Sequence, residues 1–274
     1  MAAPGGPVPI RVRNYGDSGW PVVLLHGGPG TPGYMAPVAR ELSDSFRVFE
    51  PLQRTSDDGP LSMQRHVDDL GDVIASCCPD ISPVLIGHSW GAMLALAYSA
   101  CFPDTVHGIV LVGCGTFDAA SRVALQTTLK QRTTAGLNQK LRRVTRGVTD
   151  PDVRLCVLAR LLEPLYTYDP LPAEDETEDY DSRGQEQTWN DMLRLQGEGV
   201  YPQAFGAIQS PVLMLHGSWD PHPGRMTFHT LSAYMPQLRY VELRDCGHYP
   251  WRERLAGAEF YSRLRRWLNS LTGC

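Results

Sequence analysis

The chain has 274 residues, of which 42% are hydrophobic and 20% charged; it can bury a substantial core, and wholesale disorder is excluded. A formal net charge of -5 offers no global basic field, so the expected partner is a small molecule, with no nucleic acid and no membrane. Seven cysteines, an odd count without a C-x-x-C pair, argue against a disulfide framework, and with no signal-peptide pattern at the start the expected setting is the cytoplasm.

In chain order, a short aliphatic run at 22–25 reads as a strand and is followed by helical spacing over 34–42. Strand and helix then alternate, with strands at 48–49, 84–86 and 109–112 and helices over 61–76 and 92–101. Past a long interruption the rhythm resumes with strands at 212–215 and 240–243 and helices over 226–234 and 256–268. This alternation predicts an α/β fold with a mostly parallel central sheet and flanking helices. The interruption has helical periodicity without a strand pattern, and predicts an inserted helical cap over 117–205 on a core formed by 1–116 and 206–274. Its first part is basic, including Arg122, Lys130, Arg132, Arg142, Arg143 and Arg154. A later run of Glu174, Asp175, Glu176, Glu178, Asp179 and Asp181 is expected to be a solvated loop, because like charges at that density repel.

The strongest chemical signal is Gly87-His88-Ser89-Trp90-Gly91, set between the strand at 84–86 and an apolar helix. Strand, tight turn and helix in that order make a nucleophile elbow, with Ser89 as the candidate nucleophile. A hydroxyl needs a base to take its proton. His248, on the loop after the last strand, lies at the sheet edge where ligands of open α/β sheets bind. The base in turn needs a carboxylate to fix its tautomer. Asp220 follows the strand at 212–215 and completes the order Ser, Asp, His; Asp118, beyond the strand at 109–112, is the competitor. The backbone N–H groups of Gly28, in His26-Gly27-Gly28-Pro29-Gly30, and of Trp90 are candidates for an oxyanion hole. Trp90, Trp219, His222 and Tyr249 are candidate walls of the substrate pocket. His26 and His216 read as structural, His88 as a packing residue, and His66, His107 and His229 as ordinary core or surface histidines. No metal or organic cofactor is required.

On these motifs the chain resembles the α/β-hydrolase superfamily over residues 8–116 and 206–270. The pair of glycine motifs looks like the proline iminopeptidase branch, whose strand-end Asp-Gln-Arg-Gly is represented here by Leu52-Gln53-Arg54-Thr55. In that branch cap glutamates hold the free amino terminus of the substrate. The cap acids expected to turn inward are Glu186, near Trp189, and Glu198. The leading expectation is a serine hydrolase of small carboxylic esters, with an iminopeptidase-like aminopeptidase as the alternative and a lactonase or C–C bond hydrolase behind it. A non-catalytic binding protein on this fold usually lacks a triad member, and none is missing. Epoxide hydrolase and dehalogenase chemistry would place Asp where Ser89 stands.

Overall fold

The computed structural model describes residues 10–172, 176–178 and 180–273. Seven strands, β1 (Val12–Tyr15), β2 (Trp20–Leu25), β3 (Phe46–Pro51), β4 (Val84–His88), β5 (Gly108–Val112), β6 (Val212–Gly217) and β7 (Leu238–Leu243), form one sheet in the order β1-β3-β2-β4-β5-β6-β7. Only β1 is antiparallel, pairing Val12 with Pro51 and Tyr15 with Val48; every other pairing is parallel. The sequence reading has no counterpart for β1. Val-Arg-Asn-Tyr is a polar four-residue edge strand with one buried face at most, and carries little periodic signal.

Alternation along the strands sorts the core into two layers. Val22, Leu24, Val84, Ile86, Val110 and Val112 pack on α1 (Ala36–Leu42) and α9 (Gly257–Thr272) through Val38, Leu42, Phe260 and Leu264. Val23, Leu25, Leu85, Ile109 and Leu111 face α2 (Met63–Cys77) and α3 (Trp90–Cys101), meeting Val67, Leu70, Met93 and Leu96. Because both faces are covered, the inner strands read as continuous apolar runs. Their C-terminal ends, at Leu25, His88, Val112, Gly217 and Leu243, lie along one edge of the sheet.

Between β5 and β6 the chain forms α4 (Ala119–Arg132), α5 (Ala135–Gly147), α6 (Pro151–Leu162) and α7 (Ser182–Gly197). Asp118, Thr134, Asp150 and Asp181 start these helices, each side chain accepting from N–H groups of the first turn. Helix α7 docks on the start of α2: Leu61 N–H donates to Gln187, Met63 N–H to Asp191 at 2.8 Å, and His66 Nε2 lies 3.0 Å from Thr188 Oγ1. The acidic run is not simply solvated. Glu178 pairs with Arg11 and Arg13, and Glu176 with Arg40. The buried Asp181 accepts from Ser56 and Gly184. Arginines more than 130 positions away offset the repulsion, which a local reading of charge could not see; Glu174, Asp175 and Asp179 lie outside the described residues. The remaining helix, α8 (Gly224–Ser232), covers β6 and β7. Among the described residues no helix is long and apolar enough to cross a membrane, and the six described cysteines are free.

Candidate active site

Strand β4 ends at His88 and α3 begins at Trp90, leaving Ser89 alone in the turn. Its φ of 54° and ψ of -114° place it where non-glycine residues rarely sit, a strain that persists only when the surroundings over-determine it. They do: a Cβ on Gly87 would stand 2.2 Å from the Gly91 carbonyl oxygen, and one on Gly91 would stand 2.1 Å from that of Leu25. Ser89 N–H donates to Val112 O at 2.8 Å, which ties the turn to β5. The serine is half-buried at the N-terminus of α3, where the helix favours developing negative charge. Among the described residues no hydrogen bond joins its hydroxyl to His248.

His248 and Asp220 arrive from the loops after β7 and β6. The His248 Nδ1–H donates to Asp220 Oδ2 at 2.6 Å, and both side chains are buried. Gly113 makes room for this pair, since a Cβ there would lie 2.9 Å from His248 Nδ1 and 3.2 Å from Asp220 Oδ2. Burial works to raise the Asp220 pKa, but His248, His222 and His216 facing it hold it well below the usual carboxylate range. Burial lowers the His248 pKa, and Asp220 opposes that shift; the imidazole is therefore neutral near pH 7 and able to accept a proton at Nε2. Asp118, the competing acid, is committed elsewhere. It caps α4 through Ser121 N–H and Oγ, both at 2.7 Å, and accepts from Thr230 at 2.8 Å.

The glycine-rich loop after β2 packs against the elbow so closely that a Cβ on Gly27 would sit 2.8 Å from Ser89 Cβ. The Gly27 N–H donates to Tyr34 Oη at 2.6 Å, while the N–H groups of Gly28 and Trp90 have no acceptor among the described residues. His88 does more than pack. Its Nε2–H donates to the His248 carbonyl at 2.8 Å, so its Nδ1 accepts from the Tyr34 hydroxyl at 2.7 Å. Burial depresses its pKa well below the ordinary histidine value, consistent with one proton on the ring. Gln53, of the strand-end motif Leu52-Gln53-Arg54-Thr55, has no site role in the sequence reading, yet it accepts from Trp90 Nε1 at 3.0 Å and donates to His26 O at 2.9 Å, binding the elbow to the glycine loop. Glu253 was missed as well. Its buried carboxylate accepts from the N–H groups of Tyr168, Asp169 and Gly247, and His248 N–H donates to Tyr166 O at 2.7 Å. The base loop is thereby stitched to the segment that follows α6.

Of the candidate pocket walls, His222 stacks on His248 with ring centroids 4.6 Å apart, and Tyr249 packs edge-on to it at 5.1 Å. Trp219 is 41% exposed, with the Arg132 guanidinium 4.1 Å over its ring. The Trp90 ring is buried in the core. The two cap acids do not turn inward: Glu186 is exposed, and Glu198 pairs in the open with Arg194 at 2.6 Å. Helix α7 instead presents Gly184, Thr188 and Met192 to the core. A cavity of about 280 Å³ behind Tyr249 is bounded by Tyr34, Glu163, Glu176 and Trp251. Asp220, His222 and His248 are, among the described residues, the one group of three or more His, Cys, Asp or Glu whose ligand atoms all lie within 4.8 Å of one another. Hydrogen bonds of 2.6 and 2.9 Å already join them in pairs, tighter than the ~3.3 Å edges of a tetrahedral zinc site, so an ion would have to spread the cluster.

A family model described as the alpha/beta hydrolase family matches residues 22–260. Among curated proteins, the chain is 27% identical over 107 residues to the cis-3-alkyl-4-alkyloxetan-2-one decarboxylase of Shewanella oneidensis, covering 36% of this chain and 34% of that one. It is 30% identical over 113 residues to the proline iminopeptidase of Heyndrickxia coagulans, covering 39% of each. These matches span little more than a third of the relatives' length. Among solved structures, a thermophilic esterase from Thermogutta terrifontis superposes with a TM-score of 0.64 at 20% identity, over 96% of this chain and 94% of that one.

Proposed function

The chain belongs to the alpha/beta hydrolase family, and we propose that it is a serine hydrolase of small carboxylic esters, with Ser89 as nucleophile, His248 as base and Asp220 as orienting acid. The observation that carries this reading is a buried His248–Asp220 pair at 2.6 Å on the sheet edge that also presents a serine held at positive φ. His248 Nε2 takes the Ser89 proton as Oγ attacks the carbonyl carbon. The N–H groups of Gly28 and Trp90 receive the oxyanion. Collapse of the tetrahedral intermediate expels the alcohol, protonated by His248. A water then gives a proton to His248 and attacks the acyl-enzyme; collapse releases the acid and returns the proton to Ser89. No step calls on a metal or organic cofactor. In this reading helices α4 to α7 act as the cap over the site, and Trp219, His222 and Tyr249 contribute its walls. The free cysteines fit a reducing compartment such as the cytoplasm.

A second reading, an aminopeptidase, draws on the likeness to a proline iminopeptidase. It needs a buried or half-buried carboxylate for the substrate ammonium, and the outward Glu186 and Glu198 do not supply one. A fluorophosphonate probe should label wild type and not Ser89→Ala, and Ser89→Ala should lose ester turnover by ~10⁴-fold or more with the fold intact. Comparing p-nitrophenyl butyrate with a proline anilide separates the substrate classes. Retention of a few per cent of turnover in Ser89→Ala would overturn the nucleophile, and efficient cleavage of the anilide alone would overturn the ester reading.

A further inference from the structure

The Asp220 carboxylate accepts three hydrogen bonds, only one of them from the imidazole it would orient, and a fourth nitrogen, in the His216 ring, stands close to it. Oδ2 faces His248 Nδ1 at 2.6 Å and His216 Nε2 at 3.3 Å. Oδ1 accepts from both the backbone N–H and the Nδ1–H of His222, each at 2.9 Å. Since a carboxylate only accepts, these contacts set the protons: His222 and His248 each carry one on Nδ1. His216 Nε2 also lies 3.0 Å from His222 O, and its buried Nδ1 has no partner, so its proton is on Nε2. The rings of His222 and His248 stack at 4.6 Å with 22° between planes, and Tyr166 faces both, at 5.9 and 5.6 Å. The Asp220 side chain is wholly buried, and His222 is only 13% exposed.

We propose that His222 is a positioning residue of the same site: its Nδ1–H and its stacked ring fix the planes of Asp220 and His248, and the donated hydrogen bond draws off carboxylate charge that would otherwise hold a proton on His248. The inference rests on His248 being the base. Water could solvate Oδ1 of an exposed acid, but a buried carboxylate has only the donors the protein gives it, and each one weakens its grip on the next. The groups facing His222 are Asp220 on its own loop, His216 from β6, His248 from the loop after β7 and Tyr166 from the segment after α6. The Arg132 charge, from α4, also reaches Asp220. Only His222 places an ionisable side chain on Oδ1 among the described residues.

The sign follows. Without the His222 donor, Asp220 stabilises the His248 imidazolium more strongly, the apparent pKa rises, and activity is lost at a higher pH on acidification. His222→Phe keeps an aromatic ring and removes the donor; the acid limb of kcat/KM for p-nitrophenyl butyrate should move up by on the order of half to one pH unit. His222→Asn places an amide N–H where Nδ1–H stood and should keep the limb within ~0.2 unit of wild type, at a lower kcat for want of the ring. A purely structural role would lower activity in both variants and leave the limb in place; that result, or an equal shift in both, overturns the proposal. The same titration, followed on the low-field His248 Nδ1–H proton resonance, needs no turnover. An enzyme inert to esters would thus sink the esterase reading, while the resonance still shows whether the His248 pKa rises in His222→Phe and not in His222→Asn.

Discussion

Helix α3 is buried at every position from Trp90 to Ser99, whereas α5 and α6 bury none of theirs. The first is apolar all round and can exist only between a sheet and other helices. The others are half-wetted, started by Thr134 and Asp150 and held by partial contacts. The sheet-edge loops follow α3: the N–H groups of Ser89, His248 and Asp220 donate to the carbonyls of Val112, Tyr166 and Gly217, and Asp220 accepts from His222. Precision is concentrated around the proposed site, where reacting atoms would have to be held to fractions of an ångström, and the half-wetted helices of the proposed cap are expected to tolerate change.

The sharpest way to break that contrast is to change one carboxylate on each side of it. Asp220→Asn should lower kcat by ~10³ to 10⁴, because an amide can donate to His248 Nδ1 and favour the wrong tautomer. Asp118→Asn, at the start of α4, should lower it by less than ~10-fold. Asparagine also caps helices well, so its stability should hardly change. Steady-state ester hydrolysis and thermal melts of both variants decide this; the reverse ranking would move the acid to Asp118.

A smaller effect tests the packing half of the comparison. Met93, fully buried on α3 against Gly115, should cost about 2–5 kcal/mol on truncation to alanine, the loss of its transfer free energy plus a cavity. Val153 on α6 is 51% exposed, and Val153→Ala should stay within ~0.5 kcal/mol of wild type. Urea denaturation gives both numbers. Equal losses would show that α6 is part of the cooperative core and not a tolerant layer.

What the sequence made legible was local and periodic. Ser89 and Asp220 follow apolar strands and His248 a mixed one, and the elbow glycines stand beside Ser89 in the chain, so strand ends and turn chemistry sufficed. What escaped depends on contacts between distant segments. Glu253 looks like any loop glutamate until Tyr168, Asp169 and Gly247 bring it their N–H groups. Arg11, Arg13 and Arg40 give no hint of Glu176 and Glu178. Gly113 sits at a φ of 53°, and its link to the site shows only when His248 and Asp220 are seen to pass over it. The orientation of Glu186 was different, because the signal was available: Gly184, Thr188 and Met192 repeat every four residues as the inner stripe of α7, and a residue two positions off that stripe faces away.

The smallest expected effect concerns those cap acids. Glu186 is exposed and Glu198 is paired with Arg194 at the surface, so neither carboxylate is placed to meet a substrate. Exposed charges of this kind are worth little, with surface pairs contributing about 0–1 kcal/mol. Glu186→Gln and Glu198→Gln should leave kcat/KM for p-nitrophenyl butyrate within about threefold, a change of less than ~1 kcal/mol in transition-state stabilisation. The same should hold for any residual cleavage of a proline anilide. That second arm sharpens the comparison, because an aminopeptidase would need one of these acids, or another in the cap, to pair with a desolvated ammonium, and breaking a buried pair costs about 3–5 kcal/mol. If either substitution selectively abolished anilide cleavage while sparing the ester, α7 would have to turn its outer face to the substrate, and the contrast between a precise core and the tolerant proposed cap would fail.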